Sequence, residues 1–148
     1  MRGRHGKVDT VPNGDVGMGY HVVDPAALEQ LDDRDADVRS ISGAVGLDYD
    51  GAAVGLRVYE AAPGQQLPLV YHYHDEQVEA FYVLEGRLHV ETPEGEFVVE
   101  ADEAFVAEPG SPHRAHNPAD ADGSVRVLAL GAPSVDDAHA YEPDSKSG

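Results

Sequence analysis

Cysteine is absent from the 148 residues, so neither a disulfide nor a thiolate metal site is available. Tryptophan is absent too, and phenylalanine occurs only 3 times. Lysine is confined to Lys7 and Lys146, so the other 8 of the 10 basic residues are arginine. Those 10 face 28 acidic residues, for a formal net charge of −18. A field of that sign repels polyanions, which argues against nucleic acid and anionic membranes as partners. Acidic excess with scarce lysine resembles proteins of salt-in halophiles, where concentrated salt screens the self-repulsion. No apolar run reaches transmembrane length, and the N-terminus has no apolar signal core. A soluble, cytoplasmic protein is expected.

The length suits one domain with its own core. Residues 1–17 are Gly-rich, carry Arg2, Arg4 and Lys7, and have little to bury. They read as a disordered leader, with Met18 a possible true start. Residues 18–51 read as an N-terminal helix followed by a connector or strand. Asp24 caps, Pro25 sits at the first helical position, and Ala26, Ala27, Leu28 and Leu31 continue a short helix. Residues 32–37 form an acidic connector. Strand signals follow at 53–61, 66–74, 78–84, 87–91, 96–100, 104–107, 113–117 and 125–131. Pro68 makes the first half of 66–74 an edge or an irregular stretch. Turns fall at Glu85-Gly86 and Pro93-Glu94-Gly95. Many short antiparallel strands with Gly/Pro turns predict an all-β sandwich or barrel over 52–131. Residues 132–148 form a C-terminal arm, with Tyr141 its one large anchor. No internal repeat stands out.

The chemistry gathers in two segments. His72 and His74 are two apart, so on a strand both point to one face. Glu79 falls in the next apolar run, where an unpaired carboxylate would face desolvation that metal coordination relieves. His113 follows a Pro-Gly turn much later. Three imidazoles and one carboxylate close around a divalent transition metal and leave positions for water or substrate. By parity, Phe81 and Val83 share the face of Glu79, and Phe105, Val127 and Tyr59 are further candidates to line the pocket. Arg87 is a weaker one. Tyr71, Tyr73 and Tyr82 fall on outward parities and call for a cover: a second sheet, a terminus or a partner subunit. That pattern predicts a homodimer. His116 points away from the site, and His89 reads as an exposed strand residue. Asp75 and Glu76 are either partners that orient an imidazole or a solvated loop.

The spacing resembles the cupin superfamily. Its first motif runs G, a gap, HxH, three or four residues, E, six residues, G; here Gly64, His72, His74, Glu79 and Gly86 match. Its second runs G, five residues, PxG, two residues, H, three residues, N; Gly110, His113 and Asn117 match. Asp102 stands where the leading Gly is expected and Glu108 where Pro is expected. Those departures touch the turns, not the ligands. The resemblance covers residues 52–131 and implies a double-stranded β-helix, or jelly-roll, barrel.

Cupins with this ligand set include dioxygenases, isomerases, epimerases and decarboxylases, besides non-catalytic binding modules, and the fold does not choose among them. The resemblance therefore implies either a metal-dependent oxidoreductase or isomerase acting on a small polar molecule, or a ligand- or metal-sensing module. Histidine with carboxylate suits Mn, Fe, Co, Ni, Cu or Zn.

Overall fold

The computed structural model describes residues 8–10, 19–68 and 70–142. Among them, twelve strands follow in chain order: β1 (Val8–Thr10), β2 (His21–Val23), β3 (Asp37–Ser40), β4 (Gly55–Ala61), β5 (His72–His74), β6 (Val78–Glu85), β7 (Arg87–Thr92), β8 (Gly95–Glu100), β9 (Ala104–Ala107), β10 (Arg114–His116), β11 (Val125–Ala132) and β12 (Ala138–Ala140). A five-stranded sheet has the order β3-β4-β11-β6-β9, and a three-stranded sheet the order β10-β7-β8. β12 pairs with β5, and single bridges at His72–His113 and Gln66–His116 tie the β5 segment toward β10. Every pairing is antiparallel, and the protein is all-β, as its alternating sequence predicts.

The core lies between the two sheets because each strand alternates. The larger sheet contributes Tyr59, Phe81, Val83, Val125, Val127 and Ala129, and the smaller one Leu88, Val90, Val99 and Ala115. Val83, Val90 and Val127 are fully buried. Each such side chain contributes about 1.5 kcal/mol or more relative to exposure.

Turn chemistry holds the strands in register. Gly86 joins β6 to β7 at φ +83°, where a Cβ would sit 2.6 Å from the Ser124 carbonyl oxygen. No other residue fits that turn. Asp102 takes φ +69° itself, the conformation for which the family motif uses glycine. Its N–H donates to Val83 O at 2.8 Å, and its carboxylate accepts from the Tyr82 hydroxyl at 3.2 Å. At Glu108 the turn also closes, with Ser111 N donating to Glu108 O at 3.2 Å. Both departures from the motif are therefore absorbed locally.

Four expectations are corrected. The N-terminal helix is a single 3-10 turn, Pro25–Ala27, capped by Asp24 as expected. It stops because Leu28 is extended and Leu31 N donates to Val38 O. The acidic connector runs into β3, followed by the one-turn helix α1 (Ile41–Ala44), whose Ser40 cap accepts from Gly43 N. The expected strand at 66–74 is regular only at β5, since Pro68 interrupts it; Leu69 lies outside the described residues. Within the expected unstructured leader, Val8–Thr10 pairs with His21–Val23; the rest of residues 1–18 lie outside the described residues.

Candidate metal centre

Parity brings the ligand candidates together. β5 turns His72 and His74 to the same side, both buried, and leaves Tyr73 on the other. β6 turns Glu79 inward with Phe81 and Val83. His113 enters on the loop before β10, held by reciprocal backbone bonds with His72: His113 N to His72 O at 2.9 Å and His72 N to His113 O at 3.2 Å.

Glu79 Oε1 is the common point. It lies 2.7 Å from His113 Nε2, 3.3 Å from His74 Nε2 and 3.5 Å from His72 Nε2. His72, Glu79 and His113 place one ligand atom each within 4.8 Å of one another. The opposite ring nitrogens are all engaged. His72 Nδ1 donates to Val70 O at 2.9 Å, His113 Nδ1 to Ser111 O at 2.8 Å and His74 Nδ1 to Asp137 Oδ1 at 2.8 Å. Carbonyl and carboxylate oxygens accept only, so all three rings carry their proton on Nδ1. With a metal bound, each neutral ring would turn its Nε2 lone pair to the ion, the arrangement of a metal-ligating histidine.

The site's electrostatics set burial against the neighbouring charges. Burial favours the neutral acid at Glu79, but the three imidazoles around it, His113 first, outweigh burial and hold the carboxyl well below the usual range. Burial likewise opposes the charged form of His74, and Glu79 with Asp137 reverses that, raising its pKa. Yet His74 Nε2, buried and close to Glu79, makes no well-aligned hydrogen bond. An orphaned inward nitrogen is expensive unless something binds it. A divalent cation between the three Nε2 atoms and the carboxylate would satisfy it, and the donor set suits one.

Asp137 is the residue that local sequence reading misses. Besides His74 it accepts from Glu76 N at 2.6 Å and Gln77 N at 3.1 Å. The orienting acid therefore comes from the C-terminal arm, not from the neighbours of the histidine pair. Asp75 instead pairs with His139 at 2.7 Å, and Glu76 offers only its backbone. The arm also covers the tyrosines beside the ligands. Tyr71 packs on Tyr141 with ring centres 5.1 Å apart, and Tyr73 stacks on His139 at 5.2 Å. Tyr82 remains 41% exposed.

A cleft of ≈ 530 Å³ opens over His72, His74 and Glu79. Of the expected lining residues, Tyr59 borders it. Phe81, Val83 and Val127 lie in the core, and Phe105 packs against that core. Phe81 and Phe105 instead back the His113 ring, each with centres 6.1 Å away. Arg87 is engaged by Glu100 on the smaller sheet, 3.2 Å away. His89 and His116 sit side by side on that sheet's outer face, half-buried, both near Glu96.

An antiparallel all-β barrel of this kind defines the fold class, and the comparisons agree. Residues 57–130 match the Cupin domain family, and the chain belongs to it. Solved structures of similar fold include the polyketide cyclase RemF from Streptomyces resistomycificus, 22% identical, covering 82% of this chain and 84% of that one with a TM-score of 0.64. An uncharacterised double-stranded β-helix protein from Klebsiella pneumoniae is 16% identical, covering 82% and 96%, with a TM-score of 0.63. A sugar phosphate isomerase of the cupin superfamily from Silicibacter pomeroyi is 25% identical, covering 66% of this chain, with a TM-score of 0.57. This chain spans 59% of the isomerase's length. No curated protein sequence matches the chain. Among the described residues, no helix is long and apolar enough to cross a membrane.

Proposed function

We propose that this cupin-domain protein holds one divalent transition metal on His72, His74, Glu79 and His113 and acts on a small polar molecule in the cleft. The reaction class we assign is metal-dependent oxidoreductase or isomerase. One observation carries the reading: three Nδ1 atoms are committed to other partners while three Nε2 atoms face a single Glu79 oxygen. When bound, the ion supplies Lewis acidity or redox chemistry to the ligand beside it. The chain's own residues do the rest. Val70 O, Ser111 O and Asp137 fix the rings, and Phe81 and Phe105 shield the back of His113. Likeness to a sugar phosphate isomerase supports the isomerase side of the assignment.

A second reading is a non-catalytic ligand- or metal-sensing module. It is favoured by the C-terminal arm, which forms one wall of the cleft and at the same time holds His74 through Asp137. Occupancy of the site would then be felt by the arm.

We place the protein in a salt-rich cytoplasm, as its acidic surface suggests. We also infer a homodimer through the outer face of the five-stranded sheet, where Leu130, Ala80 and Val106 align across three strands beside Tyr82.

The test is metal analysis of protein purified without added metal, followed by melting with and without chelator. One equivalent of metal and a chelator-sensitive melting temperature are expected, and His113→Ala should abolish the chelator effect. A chelator effect that survives in His113→Ala would remove His113 from the ligand set. Oxygen-consumption and sugar-isomerisation screens then separate the enzyme from the sensor.

A further inference from the structure

The described arginines fall into two groups. Arg39, Arg87, Arg114 and Arg126 each lie near an acid: Asp37 at 2.8 Å, Glu100 at 3.2 Å, Glu91 at 3.0 Å and Glu60 at 4.0 Å. The guanidiniums of Arg34 and Arg57 have neither an ion pair nor a hydrogen bond among the described residues. Both are half-buried, and both line the cleft over His72, His74 and Glu79. In a chain with 28 acids against 10 bases, leaving two guanidiniums unpaired in one place is a departure from the pattern of every other described arginine.

Sheet register says how Arg57 reaches the cleft. It lies opposite Ala129 on β11, which lies opposite Phe81 on β6. Residues in one row of a sheet share a face, and Ala129 and Phe81 face the core. The neighbouring row is Gly55, Gly131 and Glu79. Its two glycines carry no side chain of their own, and the Ser134 and Gln77 side chains pack over them, Ser134 on Gly55 and Gln77 on Gly131; Ser134 and Gln77 also line the cleft. The two rows are roughly 7 Å apart along the strands, and β4 and β6 are roughly 10 Å apart across them. A molecule of a few heavy atoms spans that gap.

A guanidinium presents a planar fork of donors that matches carboxylate and phosphate. Asp48, Asp50 and Asp136 also line the cleft, but they are exposed at its rim, while the arginines lie deeper. Rim acids and the overall charge work against a polyanion and leave room for a small, singly or doubly charged one.

From this we infer that the cleft takes a small molecule bearing an oxyanion, a carboxylate or a phosphate monoester. The anion sits on Arg57 and Arg34, and a second oxygen points to the histidine–glutamate cluster. The inference rests on the cleft being the ligand site, as proposed above, and names the class of ligand.

Calorimetric titration of the full chain at constant ionic strength tests it, using three probes. Lactate carries a hydroxyl and a carboxylate, propane-1,2-diol is its neutral counterpart, and glycerol 3-phosphate carries the phosphate. Lactate or glycerol 3-phosphate should bind at least tenfold more tightly than the diol, and the tighter of the two identifies the anion. Arg57→Gln and Arg34→Gln should each weaken anion binding about tenfold while keeping the wild-type metal content and melting temperature. Arg87→Gln, on the other sheet, should change nothing. Equal binding of the diol and the anions, or anion binding indifferent to both cleft arginines, would overturn the inference. Arginine-dependent binding in a protein that holds no metal would uphold the anion site and defeat the metal reading alone. Metal retained with no anion preference would do the reverse.

Discussion

Glu79 has two opposed duties at the residue scale. It is a buried acid, and it is the counter-charge for three imidazoles. Its depressed pKa means that its contribution to stability is present above about 4.5, the ordinary value, and is lost as pH falls through the folded value. His74 has the opposite sign. Its pKa is raised, so its contribution in metal-free protein is full below about 6.5 and is lost as pH rises through the raised folded value. A metal competes with the His74 proton, so binding strengthens as pH rises. The melting shift caused by metal should therefore grow between about pH 6 and about pH 8. A shift that shrinks over that window would contradict the ligand assignment. Glu79→Gln should lower metal affinity about a hundredfold by titration, since it removes the only anion that, among the described residues, faces the three Nε2 atoms. Of this site, the convergence of His72, His74 and His113 on Glu79 was legible from strand parity and motif spacing. Arg57 was missed: it shares the parity of Tyr59, two residues on, but only the register against β11 shows what it faces.

At the scale of elements, the C-terminal arm decides how well the site is organised. β12 adds to β5 in register His74–Ala138, Tyr73–His139 and His72–Ala140, and Tyr141 N donates to Tyr71 O at 2.9 Å. Asp137, just before β12, binds one imidazole and two backbone amides. Asp137→Ala leaves those donors unpaired and should cost about 2 kcal/mol of unfolding free energy, read by urea denaturation. It should also weaken metal binding about tenfold. Unchanged metal affinity would mean that His74 is oriented without the arm. The arm was expected, but the strand within it was hidden in the sequence for a physical reason. Ala-His-Ala has no apolar alternation of its own, because all three residues of β12 are exposed and its pairing depends on β5. β3 was hidden in the same way, since its acid-rich start, Asp37, is satisfied by Arg39 at 2.8 Å rather than by solvent alone. By contrast β4, β6, β7, β8, β9 and β11 all lie where alternation and Gly/Pro turns predict them.

For the whole molecule, charge and the apolar sheet face make separate predictions. With a net charge of −18, the surface acids repel over about 30 Å at 0.01 M ionic strength and about 3 Å at 1 M. Potassium chloride should raise the melting temperature steadily over that range; a flat response would contradict the halophile reading. In the proposed site the metal would be held by direct ligands, so chelator should still destabilise at high salt. The outer sheet face predicts a dimer in sedimentation, and Val106→Glu, at a residue 57% exposed, should give monomers. A wild-type monomer at high salt would count against that face. Tyr71 and Tyr73 no longer argue for a partner, because the chain's own arm covers them.

The metal centre itself is tested most directly by anomalous diffraction from a crystal grown without chelator, with data collected at the edge of the metal found by elemental analysis. The account predicts one anomalous peak about 2.0–2.3 Å from Nε2 of His72, His74 and His113 and from a Glu79 carboxylate oxygen. A peak elsewhere, or none in a crystal soaked with Mn, Fe, Ni or Zn while the three Nε2 atoms still converge, would contradict it.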